Sequence, residues 1–199
     1  MPGLAAAIGA HPYLYLIAEK IARREFEASD AMALIRYADL DRDNTRGHPG
    51  VHVSITSPVR TRDFHLEGSY ARRNFHSMFG SEQQAATAVA LALNTQAGAE
   101  AVKRLQMLTL GPRVVLYSRS AAGSPGVIRS AGTAGVNWTN GRAAFVTLVL
   151  QHNGDGQLIL ITAYPNIAPT RGDRYEPPDG ADVLEVGTGQ LAVFWIPRA

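Results

Sequence analysis

Apolar and polar positions alternate differently in the two halves of this chain, helically at first and with a period of two later. Leu14, Ile17, Ala18 and Ile21 recur at three- and four-residue spacing, which predicts a helix within Pro12 to Glu27 with Arg23, Arg24 and Glu25 toward its far end. Ser29 and Asp30 then supply a cap for a second short helix carrying Met32, Leu34 and Ile35. A polar stretch runs from Asp39 to Gly50. Its Asp41, Asp43 and Asn44 are partly similar to a calcium loop but lack the closing glycine and glutamate, so a solvated linker is the expectation. Val51, Val53 and Ile55 alternate with His52, Ser54 and Thr56, predicting a half-buried strand halted by Pro58. Ser69 to Met78 is read as a short helix bearing Arg72, Arg73 and His76. Ser81-Glu82-Gln83-Gln84 has the form of a capping box, and it opens an alanine-rich helix to about Asn94 with Val89 and Leu93 on its buried face. A further helix, about Gln96 to Gln106, ends before Gly111-Pro112.

From Arg113 onward the pattern predicts strands: Val114 to Ser118, Val127 to Ser130, Ala144 to Gln151, Gln157 to Tyr164, Val183 to Val186 and Leu191 to Ile196. Asn153-Gly154-Asp155-Gly156 between two of them is a hairpin signal, because Asn and Gly accept the positive φ of tight turns. Helices first and strands later give an α+β order, with N-terminal helices followed by a twisted antiparallel sheet. The polar stretch sets the expected boundary, with residues 1–45 a helical N-terminal extension and 46–199 the main domain. The extension is either a delivery or docking segment or a pair of helices packed on that domain.

Composition narrows the chemistry. With 199 residues, 46% of them hydrophobic, the chain can bury one substantial core. No apolar run approaches the roughly 20 residues that cross a bilayer, and Met1 to Ala10 lacks the basic and long apolar regions of a secretory signal. The expectation is a protein made and folded in a cytoplasm. The absence of cysteine excludes disulfides, thiolate nucleophiles, iron–sulfur clusters and cysteine-ligated zinc. The formal charge is only +2, and lysine occurs solely at Lys20 and Lys103. Nearly every cation is therefore a guanidinium, suited to bidentate phosphate contacts, although GC-rich coding produces the same usage. No His-Glu-x-x-His pair, Gly-x-Ser-x-Gly elbow, P-loop or dinucleotide fingerprint occurs, and no cofactor is expected.

What remains is histidine, arginine and hydroxyl chemistry. Thr162 and Tyr164 lie two apart in a predicted strand, so both leave one face while Ile161 and Ala163 leave the other. Threonine and tyrosine are also simply good strand formers. Beside histidine and arginine, a hydroxyl pair suits cleavage of an RNA phosphodiester. A histidine takes the 2′-hydroxyl proton, and guanidinium and hydroxyl groups stabilise the charged pentavalent phosphorus.

Three segments, Gly47-His48-Pro49-Gly50-Val51-His52-Val53, Ser77-Met78-Phe79 leading into Glu82 to Asn94, and Leu158 through Thr162-Ala163-Tyr164-Pro165, carry a resemblance. Together, over residues 47–166, the chain resembles the ribonuclease A-like toxin domain of bacterial contact-dependent growth-inhibition and related polymorphic toxins. The resemblance implies a ribonuclease A-like fold and a metal-independent endoribonuclease that is exported from its producer. It further implies action in a target cell's cytoplasm and neutralisation by a cognate immunity protein. Residue by residue it assigns His52 as the histidine before valine and Thr162 and Tyr164 as the strand hydroxyls. Arg62 has about the expected separation from His52, with Arg60 nearby. The segment after His52 departs from the family, since Pro58 and the β-branched residues predict strand and loop where a helix is implied. His65 paired with Arg72 or Arg73, and His76, therefore stay open as alternates.

Two other readings belong to different classes. ADP-ribosyltransferase toxins also combine arginines, tyrosines and Ser/Thr strands, but no Glu-x-Glu motif precedes a late strand here, Glu176 and Glu185 standing apart. A non-enzymatic immunity or binding module would use the sheet as a surface. Trp138, Phe194 and Trp195 are expected to fill the core, with base stacking the alternative for Trp138. The stretch after Pro165, with Pro169, Pro177 and Pro178, reads as a loop before a final strand pair.

Overall fold

The computed structural model describes residues 12–40, 75–107, 113–119, 126–131, 138–142, 145–152, 157–166, 181–186 and 192–197. Among them are helices α1 (Pro12–Ala22), α2 (Ala28–Leu40), α3 (Glu82–Leu93) and α4 (Gln96–Met107). The strands are β1 (Phe75–Phe79), β2 (Val114–Arg119), β3 (Gly126–Ala131), β4 (Trp138–Arg142), β5 (Phe145–His152), β6 (Leu158–Asn166), β7 (Ala181–Val186) and β8 (Ala192–Pro197). The protein is a mixed α+β structure, as the order of periodicities predicts.

Local hydrogen-bond chemistry sets the helix limits. α1 stops five residues short of the predicted Glu27 because Arg24 turns into the left-handed region at φ 59°. That turn lets the Glu25 N–H reach the Lys20 carbonyl at 2.8 Å and the Arg24 N–H reach the Ile21 carbonyl at 2.9 Å, the two closing bonds of a Schellman cap. α2 begins one residue before the predicted Ser29 cap. The Glu27 carbonyl accepts from Ala31 at 3.1 Å, and Asp30 reaches back to accept the Glu27 N–H at 3.0 Å. At α3 the Ser81 hydroxyl accepts the Gln84 N–H at 3.1 Å as the capping box predicts, while Gln84 Oε1 accepts from Gly80 at 3.2 Å, one residue further back than the reciprocal bond of a standard box.

α3 and α4 are joined through Asn94 and Thr95. The Thr95 hydroxyl accepts the Gly98 N–H at 3.0 Å and donates to the Ala92 carbonyl at 2.7 Å. Gly98 is required there by close approach, since a Cβ would sit 2.2 Å from the Leu93 carbonyl oxygen. Asn94 accepts the Phe26 N–H at 3.3 Å and donates to the Phe26 carbonyl at 2.8 Å, tying the α1–α2 connection to the end of α3.

Two antiparallel sheets are present, β1-β3-β4 and β6-β5-β2-β7-β8. The six strands predicted after Arg113 all form, each within two residues of its expected ends, and β5 pairs with β6 across the predicted hairpin from His152↔Leu158 upward. Two elements differ from expectation. Phe75 to Phe79 is a strand and not the end of a helix: its run of Phe, His and Ser has weak helical preference, and pairing with β3 supplies its backbone bonds. Trp138 to Arg142, where the sequence pattern predicts no strand, is a strand paired with β3.

One hydrophobic core joins the helices to the inner face of the larger sheet. α3 is buried along Ala85, Ala86, Ala88, Val89, Ala90, Ala92 and Leu93, its alanines permitting close approach of neighbours. Ile21, Phe26, Ala31 and Ile35 of the first two helices share this core with Leu148, Leu150, Leu158 and Leu160. Arg36 of α2 makes a two-pronged ion pair with Glu82 at the start of α3, at 3.0 and 3.2 Å. No helix among the described residues is long and apolar enough to cross a membrane. The polar stretch after Leu40 with its boundary at 45/46, the strand Val51 to Ile55, and the proline-bearing stretch around Pro169, Pro177 and Pro178 lie outside the described residues, as do the side chains of Trp138, Phe194 and Trp195.

Candidate functional site

In an antiparallel pair, residues directly opposite one another project from the same face. On β5, Val146, Leu148 and Leu150 belong to the helix-packed core, so Thr147 and Val149 take the outer face. β6 begins in step with this, Leu158 and Leu160 also lying in the core. Unbroken alternation would send Thr162 and Tyr164 inward after them. The register instead slips: Leu150 is opposite Leu160, but Val149 is opposite Thr162, leaving Ile161 as one extra residue on β6. This β-bulge reverses the parity of the remainder of the strand. Ala163, opposite Leu148, enters the core, and Thr162 and Tyr164 turn outward opposite Val149 and Thr147.

Register then extends the outer face across β2. Val115, Val149 and Thr162 form one row; Tyr117, Thr147 and Tyr164 the next; Arg119, Phe145 and Asn166 the third. Tyr117, Phe145 and Val115 pack together as a small cluster separate from the main core, consistent with their lying on the other side of the sheet. Although it faces away from the helices, this surface is not open: Thr147 is 0%, Tyr117 3% and Thr162 7% exposed, while Tyr164 and Arg119 are half-buried. The Thr162 Oγ1 is buried with no hydrogen-bond partner. The Arg119 guanidinium carbon lies 5.0 Å from the Phe145 ring centroid. Behind this strand end, the buried Asp182 carboxylate of β7 accepts the Arg119 backbone N–H at 2.7 Å and the Ser118 hydroxyl at 3.4 Å.

Of the residues proposed from the sequence, the structure brings Thr162 and Tyr164 together. His52, Arg62, Arg60, His65, Arg72 and Arg73 lie outside the described residues. His76 is on β1, in register with Ser130, and its side chain is not described; β1 does come within 8 Å of β6, Cα to Cα. His152 is buried at the far end of β5, opposite the core residue Leu158, and is remote from the hydroxyl pair. Tyr117, Arg119 and Thr147 were not singled out from the sequence. The signal available was period two in Val114 to Arg119 and Phe145 to His152, but nothing local reveals that β2 and β5 adjoin β6 in this register. Among the described residues no group of three or more His, Asp or Glu side chains is arranged to hold a metal ion.

Comparison with known proteins gives no match, whether to protein-family models, to curated proteins or to solved structures.

Proposed function

We propose that this chain is a metal-independent endoribonuclease, the toxin domain of a ribonuclease A-like polymorphic toxin, restrained by an immunity protein in its producer and acting in a target cell. The observation that carries this reading is the bulge in β6. It turns two hydroxyls away from the core onto a face that also bears Arg119, at the cost of leaving a buried hydroxyl unpaired. Bulges commonly re-aim side chains beside active sites, and unsatisfied buried groups call for an explanation beyond stability. A phosphate oxygen is an acceptor that would satisfy the Thr162 hydroxyl.

In the reaction, the 2′-oxygen forms a bond to phosphorus as the bond to the 5′-oxygen breaks. The 2′ proton passes to a histidine, the departing 5′-oxygen takes up a proton from solvent, and a 2′,3′-cyclic phosphate remains. Thr162 and Tyr164 donate to the charged oxygens of the pentavalent state. His52 is the base that the resemblance implies, with His65 and His76 as alternates; the approach of β1 to β6 favours His76 among the alternates.

The test uses the full chain with a defined RNA in the presence of EDTA. Wild type is expected to leave cyclic phosphate ends, an all-2′-deoxy strand is expected to stay intact, and Thr162→Ala and Tyr164→Phe are each expected to lower the rate about 10²-fold, the typical effect of one lost transition-state donor. Absence of cleavage by wild type, or wild-type rates in both variants, overturns the reading. Labelling of a target protein from NAD, or partner binding without turnover, would establish one of the competing classes instead.

A further inference from the structure

We propose that the smaller sheet, β1-β3-β4, is the platform on which a single-stranded substrate lies, with Trp138 stacking a base and Arg142 holding a phosphate; the choice of RNA rests on the ribonuclease reading. Antiparallel register arranges a sheet in rows, and period two divides each strand between two faces. Both pairings of this sheet run without a register shift. Phe79 is buried in the main core, and Ser77, Arg129 and Thr139 share its face by register. The opposite face takes the alternate positions. His76, Ser130 and Trp138 form one row of it, and Asn140 and Arg142 follow Trp138 along β4 in two-residue steps of about 6.7 Å.

Charge complementarity selects the occupant. The formal charge of +2 conceals an uneven distribution along the chain: residues 101–154, which include β3 and β4, hold Lys103, Arg104, Arg113, Arg119, Arg129 and Arg142 and no aspartate or glutamate. Residues 68–81, which include β1, hold Arg72 and Arg73 and again no carboxylate. All 17 acidic residues fall elsewhere, so no strand of the smaller sheet carries one, whereas β7 of the larger sheet carries Asp182 and Glu185. Clustered cations, rather than net charge, attract a polyanion. An aromatic ring and a guanidinium on one sheet face are the groups with which sheets bind single strands: any base stacks on the ring, and arginine takes phosphate oxygens bidentately. A double helix offers no unstacked base to Trp138. β1 also comes within 8 Å of β6, Cα to Cα, which puts this sheet beside the strand that carries Thr162 and Tyr164.

The experiment titrates the full chain carrying Trp195→Phe, which leaves Trp138 as its one tryptophan, with a labelled single-stranded 2′-O-methyl oligoribonucleotide, which lacks the attacking hydroxyl. Binding, read by anisotropy of the strand, is expected to quench the Trp138 emission. Trp138→Ala is expected to raise the Kd about tenfold. Arg142→Met is expected to do the same and to reduce the dependence of log K on log salt by about 0.7. Arg113→Met, which removes an exposed cation of the same acid-free stretch just before β2, is expected to match wild type. Unchanged Trp138 emission across the titration, or equal losses of affinity in Arg113→Met and Arg142→Met, overturns the platform and leaves a wild type that cleaves RNA as a ribonuclease. Trp138-dependent binding by a wild type that cleaves no RNA sustains the platform and overturns the ribonuclease reading. If Trp138→Ala loses its folded circular dichroism, the emission titration, which leaves the smaller sheet unaltered, decides.

Discussion

Thr162 carries a conflict between folding and function that can be measured. Its hydroxyl is buried without a hydrogen-bond partner, and such a group forfeits about 1–3 kcal/mol of solvation. Thr162→Val keeps the shape and removes the orphaned group, so it is expected to raise the stability by about 1 kcal/mol, read as a higher urea midpoint, while lowering RNA cleavage about 10²-fold as the alanine variant does. A variant that is both less stable and fully active would assign Thr162 a packing role. Arg24 offers a simpler case. It caps α1 at φ 59°, a conformation costing a side-chain-bearing residue about 1 kcal/mol, and its side chain is exposed. Arg24→Gly is expected to raise stability by about 0.5 kcal/mol, the strain relieved being partly offset by the freer unfolded chain. That Thr162 and Tyr164 share a face is a consequence of strand parity alone. Which face they share is not, because the bulge at Ile161 reverses a parity that Leu158 and Leu160 had set.

Among elements, α1 and α2 are fastened by an ion pair as well as by packing. Lys20 Nζ lies 2.7 Å from Asp30 Oδ1. Burial pushes the Asp30 carboxyl up, but the Lys20 ammonium and the Glu27 N–H outweigh it and hold the carboxyl below its ordinary value. The hydrogen bond to Asp30 holds the Lys20 ammonium above its own. A depressed carboxyl stabilises above its unfolded value of about 3.9 and stops doing so as the pH falls through its folded value, whereas a raised ammonium stabilises below about 10.4 and stops as the pH rises through its folded value. The pair therefore acts fully between about pH 5 and pH 9. Asp30→Asn retains an oxygen to accept the Glu27 N–H, so the stability gap between it and wild type isolates the charge. That gap is expected to be flat across this window, to close below about pH 4, and to shrink in high salt because the pair is exposed. A gap that persists at pH 2 would show that the effect is not electrostatic. The six strands β2, β3 and β5 to β8 were legible because they are rich in β-branched and other apolar residues and most are bounded by turn formers. β1 and β4 were not, since Phe75 to Phe79 and Trp138 to Arg142 are too short and too mixed for periodicity, and both are specified by pairing with β3, which is distant in sequence for β1.

The whole molecule is organised around α3, and this bears on what the first forty residues are for. The polar stretch from Asp39 to Gly50 suggests a detachable extension when read locally. The packing gives a different expectation. Ile21, Phe26, Ala31 and Ile35 are each at most 3% exposed and lie in the same core as α3 and the inner face of the sheet. Asn94 binds both polar groups of the Phe26 peptide, and Arg36 pairs with Glu82 at the other end of α3. Fully burying a large apolar side chain contributes about 1.5–3 kcal/mol, so these residues together carry stabilisation comparable with the roughly 5–15 kcal/mol net stability of a typical domain. A chain beginning at residue 41 is therefore expected to lose cooperative thermal unfolding and to expose the alanine-rich flank of α3, read as dye binding at low temperature. Supplying residues 1–40 as a separate peptide is expected to restore the transition in proportion to peptide concentration, because binding to the folded form alone stabilises it by mass action. A truncated chain that unfolds cooperatively near the wild-type temperature would show instead that the N-terminal helices are an appendage, with α3 and the two sheets sufficient to hold the face bearing Thr162, Tyr164 and Arg119.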